Sequence, residues 1–287
     1  MNDQEKRILV DKVADDFELG CKEKLGERLE GLYLIGSYAF GKISLDRPDI
    51  NFLLIFKERA SADDFLILAD ILRKMIKELK DKVLLRPDFR PFRSIYPKFK
   101  RDYEITINPI VMNMVDKDLP APFAYPKYFV EGIKNSRKLL FGNDILEDVK
   151  ISKVTRQDIQ DWMIRDILFQ EIPLARAPVQ YDEDEYDLFF NEILTAAKNF
   201  VSWGVEIAMS DEELAENKYV YYVENKEKIV DFYKERYGEG TSQMVEKVLD
   251  ARNNYLKYKT DKEMVKNMFR IALGLAGNLK YKLFSGE

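Results

Sequence analysis

The sequence predicts an α/β N-terminal half followed by an all-α C-terminal half, and three observations carry that prediction. The first is Ile50-Asn51-Phe52-Leu53-Leu54-Ile55-Phe56, a nearly continuous apolar run of strand length, suited to burial on both faces. The second is the stretch from Ser61 to Lys82. Its apolar residues Phe65, Leu68, Leu72, Met75, Ile76 and Leu79 recur at three and four, and Ser61 is suited to cap a helix there. The third is that prolines 109, 120, 122 and 126 punctuate the chain, after which every clear periodic segment is helical.

The elements follow in order. From about Asp3 to Leu29, Ile8, Leu9, Val13, Phe17, Cys21 and Leu25 recur at helical spacing among charges, and Gly31 breaks the pattern. Leu32 to Ile35 reads as a short buried strand that Gly36-Ser37 ends, where a helical turn can begin. After the loop GKISLDRPD come the Ile50–Phe56 strand and the helix from Ser61. Val83 to Arg101 is rich in proline, aromatics and arginine. It reads as solvated loop and edge strand, leading into a third strand from Tyr103 to Val111. Helices are then expected at roughly 126–140, 155–171, 185–208, 211–237, 241–258 and 261–284, with Trp162 and Trp203 assigned to their core, and a domain boundary falls near residue 120.

Composition narrows the chemistry. The chain of 287 residues has no histidine, which excludes Ser-His-Asp and Cys-His machinery, H-E-x-x-H zinc sites and any imidazole base. Its length is at or beyond what one core usually supports, so one large domain or two medium ones are expected, and two is the favoured reading. A formal charge of -5 argues against unselective binding to nucleic acid. The lone Cys21 cannot form an intrachain disulfide, no apolar run approaches membrane-spanning length, and MNDQEKRILVDK lacks a signal-peptide core. A soluble cytoplasmic protein without a membrane partner is expected.

One ordered set of residues carries reactive potential. Gly36 allows close backbone approach, and Ser37 with neighbouring N–H groups at a helix start can hold a phosphate. Asp49 and Asn51, two apart on a strand, project from the same face and bring two oxygen donors to one hard cation. Glu104, in Glu104-Ile105-Thr106 on an adjacent strand, completes the set. With Mg²⁺ and a nucleoside triphosphate bound, such oxygen donors support in-line nucleotidyl transfer without histidine. The competing reading makes Glu104, Thr106 and Asn108 the polar face of a half-exposed strand.

These motifs resemble the polymerase-beta-like nucleotidyltransferase superfamily, marked by Gly-Ser, a downstream glycine (here Gly41) and an acid-x-acid pair on the next strand. More narrowly, the chain resembles the aminoglycoside adenylyltransferases that modify streptomycin and spectinomycin. Their third acid lies in an acidic-apolar-Thr-apolar strand, the form of Glu104-Ile105-Thr106-Ile107, and Lys138-Leu-Leu-Phe-Gly142 is similar to their connection into a helical domain. The resemblance implies an α/β (α+β) nucleotidyltransferase-like domain with a small mixed sheet over 1–120 and a helical bundle domain over 121–287.

It further implies Mg²⁺-dependent transfer of AMP from ATP to a hydroxyl of a small cationic acceptor such as an aminoglycoside. Asp49, Asn51 and Glu104 would be metal ligands, with Asp49 and Glu104 catalytic and Glu104 the general base. Gly36 and Ser37 would bind the triphosphate. Lys198, in Leu194-Thr195-Ala-Ala-Lys198, and Tyr255, in Asp250-Ala251-Arg252-Asn-Asn-Tyr255, would bind the nucleotide from the second domain. Asp184 and Asp187, in and beside the acidic run Tyr181 to Tyr186, would face the cationic acceptor.

At one position the chain departs from the family. Asn51 stands where the family has the second acid, so two carboxylates replace three, and an amide oxygen brings no charge. Asp46, just upstream, offers a substitute acid. The departure supports an alternative: a nucleotide-binding or regulatory protein of the same fold with impaired catalysis. The basic segment Arg86, Arg90, Arg93, Lys98, Lys100 and Arg101, interleaved with Phe89, Phe92, Tyr96 and Phe99, supports an RNA nucleotidyltransferase as a further rival.

Overall fold

The computed structural model describes residues 1–87, 103–179, 186–216 and 218–285, which divide into two compact units, Met1–Ile151 and Ser152–Glu287. The first unit is a five-stranded mixed sheet with helices, and the second is helical. Among the described residues no helix is long and apolar enough to cross a membrane.

The chain starts with α1 (Asp3–Leu25), whose Asn2 and Glu5 satisfy each other's exposed backbone N–H groups in a capping box. The helix stops four residues short of the expected Leu29, because Leu29 is drawn into the sheet as the first residue of β1 (Leu29–Ile35), opposite Phe56. Next come β2 (Asp49–Phe56), α2 (Ala62–Leu79), β3 (Leu84–Pro87), β4 (Glu104–Asn113), α3 (Lys127–Asn135), β5 (Arg137–Gly142) and α4 (Ile145–Asp148). Ser61 caps α2 as its sequence predicts, in a second capping box with Asp64.

The strand order is β3-β4-β2-β1-β5. The β4 strand runs parallel to both β2 and β3, whereas β1 is antiparallel to β2 and β5. β3 is the edge strand expected in the proline- and arginine-rich stretch, whereas β5 differs from the expectation and replaces the end of the helix expected over 126–140. Gly142 ends β5 at φ +88, and a Cβ there would lie 2.3 Å from the Glu30 carbonyl oxygen, so only glycine lets the two strands close at that point. Because β5 and α4 belong to the sheet unit, the compact units part after Ile151 and not near residue 120.

Side-chain alternation gives the sheet two different faces. One face, carrying Leu32, Leu34, Ile50, Phe52, Leu54, Leu85, Ile105 and Ile107, is buried under α1 and α2, with the Phe17 and Phe52 rings 4.3 Å apart. The opposite face is apolar only at one end, where Tyr33, Ile35, Leu53, Ile55 and Met112 meet Phe123, Val130, Ile133, Leu146 and Val149. Its other end is polar, and it holds the residues considered below.

β4 changes character along its length. Thr106 N donates to the Pro48 carbonyl at 2.9 Å, so even-numbered residues of β4 turn their backbone groups toward β2 and odd-numbered ones toward β3. Among the described residues β3 accompanies β4 only as far as Ile107. Pro109, which has no N–H, therefore points to the side of β4 away from β2, beyond the described extent of β3. A cavity of about 480 Å³ lies along this part of β4, lined by Phe65, Asn108, Val111, Tyr125 and Phe129 among others, and Tyr125 Oη donates to the Val111 carbonyl at 3.3 Å.

The second unit contains α5 (Arg156–Arg176), α6 (Tyr186–Ile207), α7 (Asp211–Ala215), α8 (Lys218–Glu224), α9 (Ile229–Tyr237), α10 (Glu239–Asn253), α11 (Tyr255–Tyr258) and α12 (Lys262–Ser285). The single helix expected over 211–237 is three helices. At the end of α8, Asn225 leaves helical geometry and its side chain donates to the Tyr221 carbonyl at 2.8 Å, satisfying a terminal acceptor. The packing of α6 against α5 and α12 forms the core, and Trp162 and Trp203, expected in it, are only half-buried.

Candidate functional site

The polar end of the sheet is built by strand register. Asp49 lies opposite Thr106 and Asn51 opposite Asn108 across β2 and β4, while Arg86 of β3 lies opposite Thr106. Period-two alternation puts Glu104, Thr106 and Asn108 on the same face as Asp49, Asn51 and Arg86. Thr106 is buried, and the other five are half-buried. The structure therefore brings Asp49, Asn51 and Glu104 to one face, as their spacing predicts.

Gly36 and Ser37 follow β1 directly, and Ile35 pairs with Asn51. Gly36 takes φ +73, a left-handed conformation that costs other residues strain, and its Cα lies over Asn51. A Cβ built there would be 3.7 Å from Asn51 Nδ2. The expected helical turn is a single 3-10 turn, Gly36–Tyr38, closed by Ala39 N donating to the Gly36 carbonyl at 3.0 Å. Tyr38 anchors it to α1 through a hydrogen bond from its hydroxyl to Asp11 Oδ1.

Two contacts set the chemistry of this face. Asn51 Oδ1 accepts a hydrogen bond from Asn108 Nδ2 at 3.0 Å, so the amide turns its Nδ2 toward Gly36. It presents donors where the family's acid would present oxygens. Glu104 Oε1 lies 2.9 Å from Arg86 Nε, and the two side chains are 20% and 13% exposed, which places the ion pair well inside the sheet surface. The alternative acid, Asp46, is bound to Lys6 of α1, whose buried ammonium its carboxylate holds above the ordinary lysine pKa.

A resident Mg²⁺ fits this donor set poorly. Asp49 Oδ1 is shielded from solvent, as a cation ligand would be. The Asn51 oxygen is engaged by Asn108, and a Glu104 oxygen by a guanidinium. Mg²⁺ demands near-octahedral oxygen coordination. Among the described residues no three Asp, Glu, Cys or His side chains group so as to hold a metal ion.

The remaining sequence-predicted positions lie in the helical unit. Lys198 is half-buried on α6, and Asp187 is half-buried in the first turn of that helix. Tyr255 is buried, with its ring stacked on Phe190 at 5.8 Å between centroids, which gives it a packing role whatever else it does. Asp184 lies outside the described residues, as do Arg90, Arg93, Lys98, Lys100 and Arg101 with their interleaved aromatics. Sequence reasoning did not single out the partners that define this face, Arg86 for Glu104 and Asn108 for Asn51. The available signal was the Leu84-Leu85-Arg86-Pro87 alternation, which marks a short strand carrying an arginine on its polar side.

Comparison with known proteins bears on the fold. No family model matches the sequence, and no curated protein matches it. The crystal structure of spectinomycin adenyltransferase AAD(9) from Enterococcus faecialis with ATP and spectinomycin is similar to this chain with a TM-score of 0.52 and 15% identity. The match covers 93% of this chain and 98% of that one. The chain thus shares the overall fold of that structure: an α/β unit with a mixed sheet, followed by a helical unit.

Proposed function

We propose that the N-terminal unit binds a nucleoside triphosphate, ATP foremost, at the polar end of its sheet. The observation that carries this reading is the gathering of Asp49, Asn51, Thr106, Asn108, Glu104 and Arg86 on one sheet face beside the Gly36-Ser37 turn. The fold is shared with an adenyltransferase solved with ATP, which supports the same reading. The pairing of Glu104 with Arg86 and of Asn51 with Asn108 favours binding without efficient transfer, the catalytically impaired form of this fold.

A second reading keeps transfer. Asp49 and Glu104 both lie on the shared face, and the similar structure holds ATP and spectinomycin. In this reading an acceptor hydroxyl attacks the α-phosphorus, its proton passes to Glu104, and the bond to the bridging oxygen breaks to release pyrophosphate. Asp187 would attract the cationic acceptor, and Lys198 and Tyr255 would contact the nucleotide, roles that rest on the resemblance alone.

Calorimetric titration of ATP tests the first reading, and pyrophosphate release across a panel of aminoglycosides and other polyamine alcohols separates the two. Binding without release supports an impaired site. Release with any acceptor replaces it with the enzyme, and an ATP-insensitive chain rules out both.

A further inference from the structure

We infer that the cavity beside the second half of β4 binds a neutral planar heterocycle that carries an amino donor next to a ring-nitrogen acceptor, as the base of adenosine does. This site stands apart from the phosphate-binding face proposed above. Among the described residues no charged side chain lines the cavity, so it favours an uncharged ligand.

Strand geometry supplies the hydrogen-bonding edge. Odd-numbered residues of β4 turn their backbone groups away from β2, and those along the cavity include Pro109 and Val111. Pro109 offers a carbonyl and no N–H, while the Val111 carbonyl accepts from Tyr125 Oη. The neighbouring pair on this side is therefore the Pro109 carbonyl and the Val111 N–H, one acceptor beside one donor, the pair that a residue of a parallel partner strand bridges. An aminopyrimidine edge bridges the same pair with its amino N–H and its ring nitrogen.

Packing supplies the faces. A ring bonded to a strand edge lies in the plane of the sheet, so its two faces meet whatever rises above and below that edge. On one side Phe65 reaches the cavity from α2, the helix that covers the Phe52 face. On the other are Tyr125 and Phe129, packed against the Leu53 face with their rings stacked at 5.2 Å between centroids. Aromatic groups on both sides suit a flat ring between them, and about 480 Å³ is within the range of small-ligand sites.

The turn that delivers Tyr125 is strained. Phe123 and Ala124 take φ 58° and 62°, consecutive left-handed conformations without glycine. The Phe123 ring is buried in the core, and Tyr125 N donates to the Pro122 carbonyl at 3.1 Å. Strain of this kind persists only where surrounding contacts fix it, and it clusters at ligand sites. Here it sets the Tyr125 ring against the strand edge.

The test is calorimetric titration of adenosine into the full chain, with inosine as the control. Inosine carries an N–H and a carbonyl oxygen where adenosine has its acceptor and donor, so it is expected to bind about tenfold more weakly or worse. Phe65 is 51% exposed and can be shortened without opening the core. Phe65→Ala is expected to melt like the parent and to weaken adenosine by about fivefold or more. Saturating tripolyphosphate is expected to change adenosine affinity by less than about threefold. Absence of adenosine binding overturns the inference, as do equal binding of inosine and an unchanged affinity in Phe65→Ala. Displacement of adenosine by tripolyphosphate overturns it too, and leaves the nucleotide reading of the polar face standing.

Discussion

Arg86 lies opposite Thr106 in register, yet its guanidinium reaches diagonally along the sheet to Glu104, Nε to Oε1 at 2.9 Å. The contact ties the four-residue β3 to the start of β4 through charge as well as backbone pairing. Arg86→Met or Glu104→Gln alone should destabilise the chain by about 1–3 kcal/mol, because each removes one side of a partly buried ion pair. The double variant should lose less than the sum of the two. A double-mutant cycle in urea measures the coupling, and additive losses would show that the pair contributes no net stability.

Asn51→Asp should impose a metal requirement. A carboxylate at this position adds a second negative charge to β2 beside Asp49, so ATP affinity in EDTA should fall by about tenfold and Mg²⁺ should restore it. Calorimetry with and without Mg²⁺ reads the effect. Equal affinities for the variant and the parent in both buffers would mean that residue 51 does not face the phosphates.

Gly36→Ala should cost about 1–2 kcal/mol through backbone strain alone. The nearest side-chain atom to the added methyl is Asn51 Nδ2 at 3.7 Å, so there is room for it and the penalty comes from φ +73. Gly36→Asn should lose less stability, since asparagine tolerates that conformation. Thermal melts of both variants check the ranking, and an alanine variant as stable as the parent would remove the strain argument.

Glu206 in α6 should make stability depend on pH. Its carboxyl is buried, Oε2 has no hydrogen-bond partner among the described residues, and burial, with Asp166 adding to it, raises the pKa to about 8. A pKa raised on folding means that the folded state holds the proton more tightly. Stability from this group is fully present below its unfolded pKa near 4.5 and is lost as pH rises toward about 8. Glu206→Gln should remove that slope, gaining on the order of 5 kcal/mol at pH 9 relative to the parent. Denaturant melts at pH 5, 7 and 9 would show it, and parallel curves for the two proteins would contradict it.

Local signals made much of this fold legible. The α2 helix begins where Ser61 and its apolar spacing place it, and β2 spans the continuous apolar run. The shared face of Asp49, Asn51 and Glu104 follows from a period of two plus pairing of the two strands. Misreadings arose where tertiary pairing overrode the local pattern. β5 continues the apolar rhythm of α3 and becomes a strand only because β1 offers it an edge. Arg86 looked like one member of a basic segment, since nothing in linear sequence says that it will lie two strands from Asp49 and beside Glu104.

The second half of β4 has a consequence for self-association. A strand edge recruits another strand by offering alternating N–H and C=O groups in a row. Among the described residues, those on the side of β4 away from β2 are Pro109, with no hydrogen to offer, and Val111, whose carbonyl is engaged by Tyr125. Asn113, the next in line, turns its side-chain oxygen to Ala60 N at 2.9 Å. With its first donor missing and its next acceptor occupied, this side of the strand offers a poor template for sheet extension.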